Sequence, residues 1–402
     1  MKHVLFLIPQ DKNNHSLWDG DAIRNGGVGA SGTHQSFVIV AEQMMKNKTI
    51  EQAYIHNFCK ESCVNGVRYI RDTSSISSLI DTVIVLPWYA KSMHAFADLC
   101  NTYPKLKTIV VWFQCQLLEQ GTALSIINSP PSLEIVFVHL SYWSKNNVIK
   151  MSPPNVLARI NKHYIIPNAL MSDTLPPYKG TLHPNNAIFS ACFERGGEVA
   201  ERVWTKVKKE NPSKWGDFMA CEYPDKSNQK DKNQVFQALG NARYFLYPLV
   251  LPPGPFSYSV HRDTFGCAVA EAIACGVEVL SYPVGALEEH YKDMIHWIPF
   301  PLGLTKEDIN QSVTDPRIPE LFGDLQVNII ANMLNTLDAS YEQRAGKRAK
   351  DAERVRSMYH ANTIGEMWHA YFKNETHSGV ASSTIEMRKP FSHCKNKHGK
   401  LL

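Results

Sequence analysis

The stretch His261 to His290, "HRDTFGCAVAEAIACGVEVLSYPVGALEEH", places two carboxylates, Asp263 and Glu271, eight residues apart around an apolar run. Asp263 and Thr264 are of the types that cap helix N-termini, so the spacing predicts a helix from about Phe265. The backbone N–H groups of Phe265, Gly266 and Cys267 would then form an anion site at the positive end of that helix. Gly266 lacks the side chain that would hold a phosphate away. Glu271 is the one charged residue among Ala, Val, Ile and Cys. Burying a carboxylate is costly unless it accepts hydrogen bonds, and the paired hydroxyls of a ribose suit it. The plainer alternative is that Asp263 only caps and Glu271 only meets a backbone donor.

A second candidate is "NGGVGASGTHQ", Asn25 to Gln35, which contains a literal G-x-G-x-x-G at Gly27, Gly29 and Gly32. A dinucleotide fingerprint needs its first glycine directly after the first strand, so that the turn delivers the phosphate to the next helix. Here the first strand ends near Pro9, and Gly27 follows eighteen residues later. No convincing acidic residue stands about twenty residues further on, where such a site would hold a ribose. Two readings remain. One is a flexible loop whose glycines tolerate positive φ; the other is a loop whose N–H groups approach a polar or anionic ligand before a helix starting near Thr33.

These residues must be positioned by regular elements, and the chain supplies them in alternation. "HVLFLIP", "TVIVLPW", "KTIVVWF", "EIVFVHL" and "HYIIPNA" are continuous apolar runs, as expected of strands covered on both faces. Helical patterns such as Gln35 to Lys46 and Met93 to Cys100 lie between them. A Pro- and Gly-containing stretch, Leu175 to Asn186, interrupts the series. A second series follows: "AIFSACF", "GDFMACEY", "ARYFLYP", "VEVLSYP" and "IHWIPF". The alternation predicts two α/β units in tandem, each with a doubly wound parallel sheet. The expected boundaries are 1–174 and 175–354, with a last helix over about 355–373 that carries Ile364, Met367, Trp368 and Tyr371 as an apolar stripe. Residues 374–402 turn polar and basic, and disorder is expected there.

Composition narrows the classes. With 402 residues, 44% hydrophobic and 20% charged, the chain is of the globular type. A net charge of +4 without a Lys/Arg stripe argues against a nucleic-acid partner. The basic tail, Arg388 to Lys400, reads as a solvated end or a weak contact with an anionic membrane surface. Nine cysteines lack any C-x-x-C pair; Cys115, Cys192, Cys267 and Cys275 sit in apolar stretches as small hydrophobes. That predicts a reducing, cytoplasmic setting. No run approaches the roughly 20 apolar residues of a membrane span.

"DTFGCAVAEAIACG" resembles the C-terminal-domain signature of family 4 glycosyltransferases (glycosyl transferases group 1), the large retaining group of GT-B architecture. That motif has two acidic residues with seven between them, Phe-Gly in the interval, an Ala-rich helix and Cys-Gly. This sequence departs at Asp263, where Glu is usual and reaches one methylene further. The resemblance implies that Glu271 holds the ribose of a nucleotide sugar, and that Asp263 with the neighbouring amides holds the transferred sugar and phosphates. Arg195-Gly196 in "FSACFERGGEV" is similar to the family's basic-residue-plus-glycine element for the donor diphosphate; a guanidinium fork suits that task. Ser190 stands where many relatives carry a second cation, leaving Arg195 alone or assisted by a residue such as Arg262. "GGVG" resembles the loop that faces donor phosphates and acceptor, and "IIPNAL" the strand ending in Pro-Asn before the interdomain crossing. Gln114 and Gln116 stand where many members present a histidine, and His139 reads as a packing residue instead. "ANTIGEMWHAYF" is similar to the family's last helix, which crosses back to the N-terminal domain.

The implied architecture is two Rossmann-like domains facing a cleft. The implied activity is transfer of a sugar from a UDP- or GDP-linked donor to a hydroxyl of a glycan or glycoconjugate, with retention, without a bound metal or other cofactor. The alternatives are a nucleotide-sugar epimerase of the same fold and a non-catalytic nucleotide-sugar-binding protein.

Overall fold

The computed structural model describes residues 2–8, 18–25, 32–56, 60–178, 180, 184–191, 195–222, 232–254, 257–260, 262–301, 303–306 and 323–373. Gly27, Gly29, Cys192 and the tail 374–402 lie outside the described residues.

The first unit is built on eight strands: β1 (His3–Leu7), β2 (Gln52–His56), β3 (Ser62–Val64), β4 (Val67–Ile70), β5 (Thr82–Val85), β6 (Thr108–Phe113), β7 (Glu134–His139) and β8 (Lys162–Ile165). Their order is β3-β4-β2-β1-β5-β6-β7-β8, parallel throughout except for the β3–β4 pair. Central strands such as β6, "TIVVWF", are buried at every position because both faces are covered. Helices α1 (Gly20–Arg24) and α2 (Gly32–Lys46) precede β2; α3 (Ala95–Thr102), α4 (Gln120–Ile127), α5 (Tyr142–Met151) and α6 (Pro154–Leu157) follow β5, β6 and β7. Phe96, Leu99, Ala123, Ile126, Val148 and Val156 of the later helices pack with Leu5, Val83 and Phe137 on one face. Helix α2 covers the other face through Phe37, Val38 and Val40.

The second unit holds β9 (Ala187–Ala191), β10 (Phe218–Glu222), β11 (Tyr244–Tyr247), a hairpin of β12 (Val250–Gly254) and β13 (Ser257–Val260), then β14 (Glu278–Ser281) and β15 (Ile295–Trp297). Five of these form a parallel sheet in the order β10-β9-β11-β14-β15. Its helices are α7 (Gly197–Glu210), α8 (Lys232–Gly240), α9 (Cys267–Ala274), α10 (Leu287–Tyr291), α11 (Asp324–Ala339) and α12 (Ala345–Met358). Helix α7 shows how the sequence sets orientation: Val199, Ala200, Val203, Trp204 and Val207 fall on one face and are buried there.

The chain then returns. Helix α13 (Ala361–Phe372) lies on the first unit, where Trp368 meets Trp112 edge-on at 5.1 Å and Tyr371 meets Tyr164 at 4.8 Å. The outgoing and returning crossings run side by side: Leu170 N donates to Tyr359 O at 2.8 Å. Arg356 pins them, donating to Ala274 O (2.8 Å), Ser172 O (2.9 Å) and Pro176 O. Among the described residues no helix is long and apolar enough to cross a membrane.

Candidate functional site

Open α/β sheets bind ligands beyond the carboxyl ends of their strands. Here those ends of the two sheets face one another and touch. Gln114, just past β6, accepts at its carbonyl from Thr264 Oγ1 (3.3 Å). Asn168, just past β8, exchanges two 2.9 Å hydrogen bonds with the Gln114 amide and donates to Cys267 Sγ at 3.6 Å. Asn233 Nδ2, in the first turn of α8, reaches Asn25 O at 3.1 Å, next to the glycine-rich segment. Gly32, the end of that segment, lies against Cys267, whose Sγ would be 3.7 Å from an added Cβ.

Within the second unit, three residues join into one chain. Tyr247 closes β11 and is 2% exposed; its hydroxyl donates to Asp263 Oδ2 at 3.0 Å and is hydrogen-bonded to the Arg195 guanidinium. Burial, then the Asp263 charge, hold the phenol protonated well above its ordinary range, against the opposing pull of Arg195. Arg195 precedes α7, and Gly196 caps that helix at φ 105, a left-handed conformation that glycine adopts without strain.

Asp263 departs from the expected anion site. Its Oδ1 accepts from the N–H groups of Phe265 (3.2 Å) and Gly266 (2.9 Å), so the carboxylate itself occupies two of the amides assigned to phosphate. The helix also begins later than predicted, at Cys267 rather than Phe265. Gly266 takes φ 79, and a left-handed residue cannot continue a right-handed helix. Packing also requires a glycine at 266: an added Cβ would lie 2.6 Å from Leu287 Cδ2. Phe265 is 1% exposed and packs edge-on against His290 and Tyr359 at the interdomain crossing. Thr264, also buried, spends its hydroxyl on the other unit. The Cys267 thiol is pushed up to about 12 by burial, reinforced by the charges of Glu271 and Asp263. It is a thiol and not a nucleophile at neutral pH.

Glu271 is 7% exposed and meets no backbone donor among the described residues; Lys232 of α8 donates to its Oε1 at 2.5 Å. The same ammonium lies 4.8 Å from the Phe236 ring centroid. Arg262, the proposed second cation, is half-buried, and loss of hydration lowers its pKa. His139 is fully buried, as expected of a packing residue: Nε2 lies 3.1 Å from His163 Nδ1 and the ring stacks on Phe113 at 4.8 Å.

Asp19-Gly20-Asp21 is an Asp-x-Asp triplet, yet both carboxylates are engaged locally. Asp19 caps α1 through Ala22 N at 2.9 Å, and Asp21 pairs with Arg24 at 2.7 Å. Among the described residues no group of three or more His, Cys, Asp and Glu side chains is placed to hold a metal ion.

Comparison with solved structures fixes the fold. Sucrose-phosphate synthase from Thermosynechococcus elongatus superposes with a TM-score of 0.56 at 10% identity, covering 93% of this chain and 99% of its own. HepE from Anabaena, in complex with UDP and glucose, gives 0.55 at 10% identity over 93% and 100%. The catalytic domain of starch synthase IV from Arabidopsis thaliana, bound to ADP and acarbose, gives 0.54 at 9% identity over 93% and 99%. The architecture is GT-B. No family model matches the sequence, and no curated protein matches it. In this GT-B chain, then, Arg195 follows β9, and Thr264 and Cys267 meet the first domain across the cleft.

Sequence reasoning named Arg195, Asp263 and Glu271, and the structure brings in three groups that it did not name. Tyr247 was legible only as part of a strand; its place as the last residue of β11 is the signal that could have marked it. Lys232 stands 39 positions from Glu271 and carries no local signature. Glu289, from "GALEEH", accepts from Tyr142 N (2.8 Å) and Trp143 N (2.9 Å), and so caps α5 across the domain boundary.

Proposed function

We propose that this chain is a retaining glycosyltransferase of family 4 type, moving a sugar from a UDP- or GDP-linked donor to a glycan or glycoconjugate hydroxyl. The observation that carries the reading is the apposition of the two carboxyl edges, with Arg195, Tyr247 and Asp263 hydrogen-bonded in series on one of them. In that reading Arg195 meets the departing diphosphate, where a fixed donor stabilises charge as it develops. Asp263 sets the N-terminus of α9 and, with Thr264, Phe265, Gly266 and Cys267, shapes the wall beside the transferred sugar. Glu271 takes the ribose, Gly196 lets the chain turn close to the phosphates, and Gly27 and Gly29 are assigned to the same phosphates by the resemblance in sequence alone. The leaving phosphate accepts the acceptor proton, so no side-chain base and no metal is required. The resemblance in sequence between Ser190 and Gly276 supports this assignment, and so do nucleotide complexes of proteins sharing the fold. The six described cysteines are all free, which supports a cytoplasmic setting.

Calorimetric titration with UDP, GDP, ADP and NAD tests the reading, followed by assay of the matching nucleotide sugars for transfer or hydrolysis. One nucleoside diphosphate should bind and NAD should not. Binding of NAD alone would restore the dinucleotide alternative.

A further inference from the structure

The ion pair between Lys232 and Glu271 sits where the proposed donor has to bind. Glu271 is the carboxylate assigned to the ribose, and its Oε1 is held by the ammonium at 2.5 Å. Ribose hydroxyls and that ammonium compete for the same acceptor. Both side chains are largely shielded from water, at 20% and 10% exposed, so separating them without a substitute would strand two poorly hydrated charges. A nucleoside diphosphate offers the substitute from one molecule. Its ribose donates hydrogen bonds to the carboxylate, and the diphosphate hanging from the same ribose accepts the cation.

The placement of Lys232 fits such an exchange. It opens α8, and the next residue, Asn233, touches Asn25 of the first domain. The ammonium therefore stands at the cleft and not behind it. Its ammonium also stands 4.8 Å from the Phe236 ring centroid, and the four-carbon stem of a lysine lets the charged end turn from one acceptor to another. The sequence also lacks a cation at Ser190, so the diphosphate has a second charge to gain. Resting on the transferase reading, we propose that Lys232 is a donor-binding residue that exchanges Glu271 for the diphosphate when a nucleotide sugar enters. The pair gates the site: a ligand without phosphates must break it and receives nothing from the cation.

The experiment compares nucleoside with nucleoside diphosphate. Wild-type protein, Lys232→Met and Lys232→Arg are titrated calorimetrically with the binding member of UDP, GDP and ADP, and with the corresponding nucleoside. Met keeps a similar length and an apolar end beside Phe236 but removes the charge. Lys232→Met should weaken diphosphate binding at least tenfold and leave nucleoside binding equal or tighter, because Glu271 is released. Lys232→Arg should hold diphosphate affinity within about threefold of wild type, since the charge is retained. A flatter salt dependence of diphosphate binding should accompany Lys232→Met. Equal weakening of both ligands would make Lys232 a support for Glu271 and overturn the exchange, as would unchanged diphosphate affinity. Wild-type protein that binds no nucleoside diphosphate overturns the transferase reading itself, which is a separate outcome.

Discussion

At the scale of single residues, Arg195 has one contact in the structure and one role assigned to it by the proposal. It hydrogen-bonds the buried Tyr247, which in turn holds Asp263, and its charge is assigned to the leaving group. Arg195→Ala should lower turnover on the order of 10²–10³, the usual consequence of losing one preorganised donor. Turnover within a few-fold of wild type in a folded variant would remove Arg195 from the chemistry. His139 makes a prediction of another kind. Burial, aided by the neighbouring His163 and Lys145, pushes its pKa down to about 3, so the folded protein keeps it neutral. The unfolded chain protonates it near its ordinary value of about 6.5. Stability is therefore complete above that value and falls as pH drops towards 3, by up to ~1.4 kcal/mol per pH unit. His139→Phe, which preserves stacking on Phe113, should flatten unfolding free energy between about pH 6.5 and 5, before carboxylates titrate. An unchanged slope would place the acid sensitivity elsewhere. Arg195, Asp263 and Glu271 were legible because their signal is local spacing. Their partners Tyr247 and Lys232 were not, because those pairings exist only once distant strands and helices meet.

At the scale of elements, legibility followed burial on two faces. Strands such as β6 and β7 are covered on both sides and read as continuous apolar runs. Strands β2, β3 and β4 lie towards one edge of the sheet, are short, and mix Gln52, Ser62 and Arg68 into the pattern, so they gave no such run. The last helix, expected over about 355–373, is divided between the end of α12 (Ala345–Met358) and α13 (Ala361–Phe372). Helix α9 was found with its start misplaced, because residue type at 263 and 264 signals a cap while the left-handed turn at Gly266 is a tertiary requirement. That turn can be tested. Gly266→Ala combines φ 79 with a Cβ placed 2.6 Å from Leu287, and should destabilise the fold by roughly 1–3 kcal/mol. Gly346→Ala is the matched control: Gly346 lies inside α12 with nothing within 4 Å of an added Cβ. That change should stabilise by about 0.5–1 kcal/mol. Denaturant unfolding of both variants measures the contrast, and a destabilisation equal in sign and size at the two sites would refute the argument.

At the scale of the whole molecule, the tandem α/β units were visible in the sequence, while the contacts that set their orientation were not. No spacing rule connects Glu289 to Tyr142 and Trp143, yet one carboxylate there accepts from two N–H groups at the start of α5. A carboxylate at a helix N-terminus satisfies otherwise unpaired donors and meets the positive end of the dipole. Because helix and carboxylate belong to different domains, that energy is released only when the domains face each other as they do here. Phe265 and His290 pack on Tyr359 at the returning crossing, so the N-terminus of α9 is held by the same hinge. The residues assigned to the donor, Arg195, Lys232, Asp263 and Glu271, all lie in the second domain and would bind a nucleotide without closure. The proposed transfer, by contrast, would need the first domain in place to exclude water and present the acceptor. Glu289→Ala should therefore separate the two. Loss of a cap weakens the facing arrangement by up to about 2 kcal/mol, which corresponds to a fall of up to roughly thirtyfold in kcat if closure limits turnover. Nucleoside diphosphate affinity should stay within about threefold, a shift of less than ~1 kcal/mol. Small-angle scattering of the free variant should show a larger radius of gyration than wild type. If kcat and scattering are both unchanged, the cap across the boundary does not set the domain arrangement; if affinity falls in step with kcat, Glu289 acts on the donor site and not on closure.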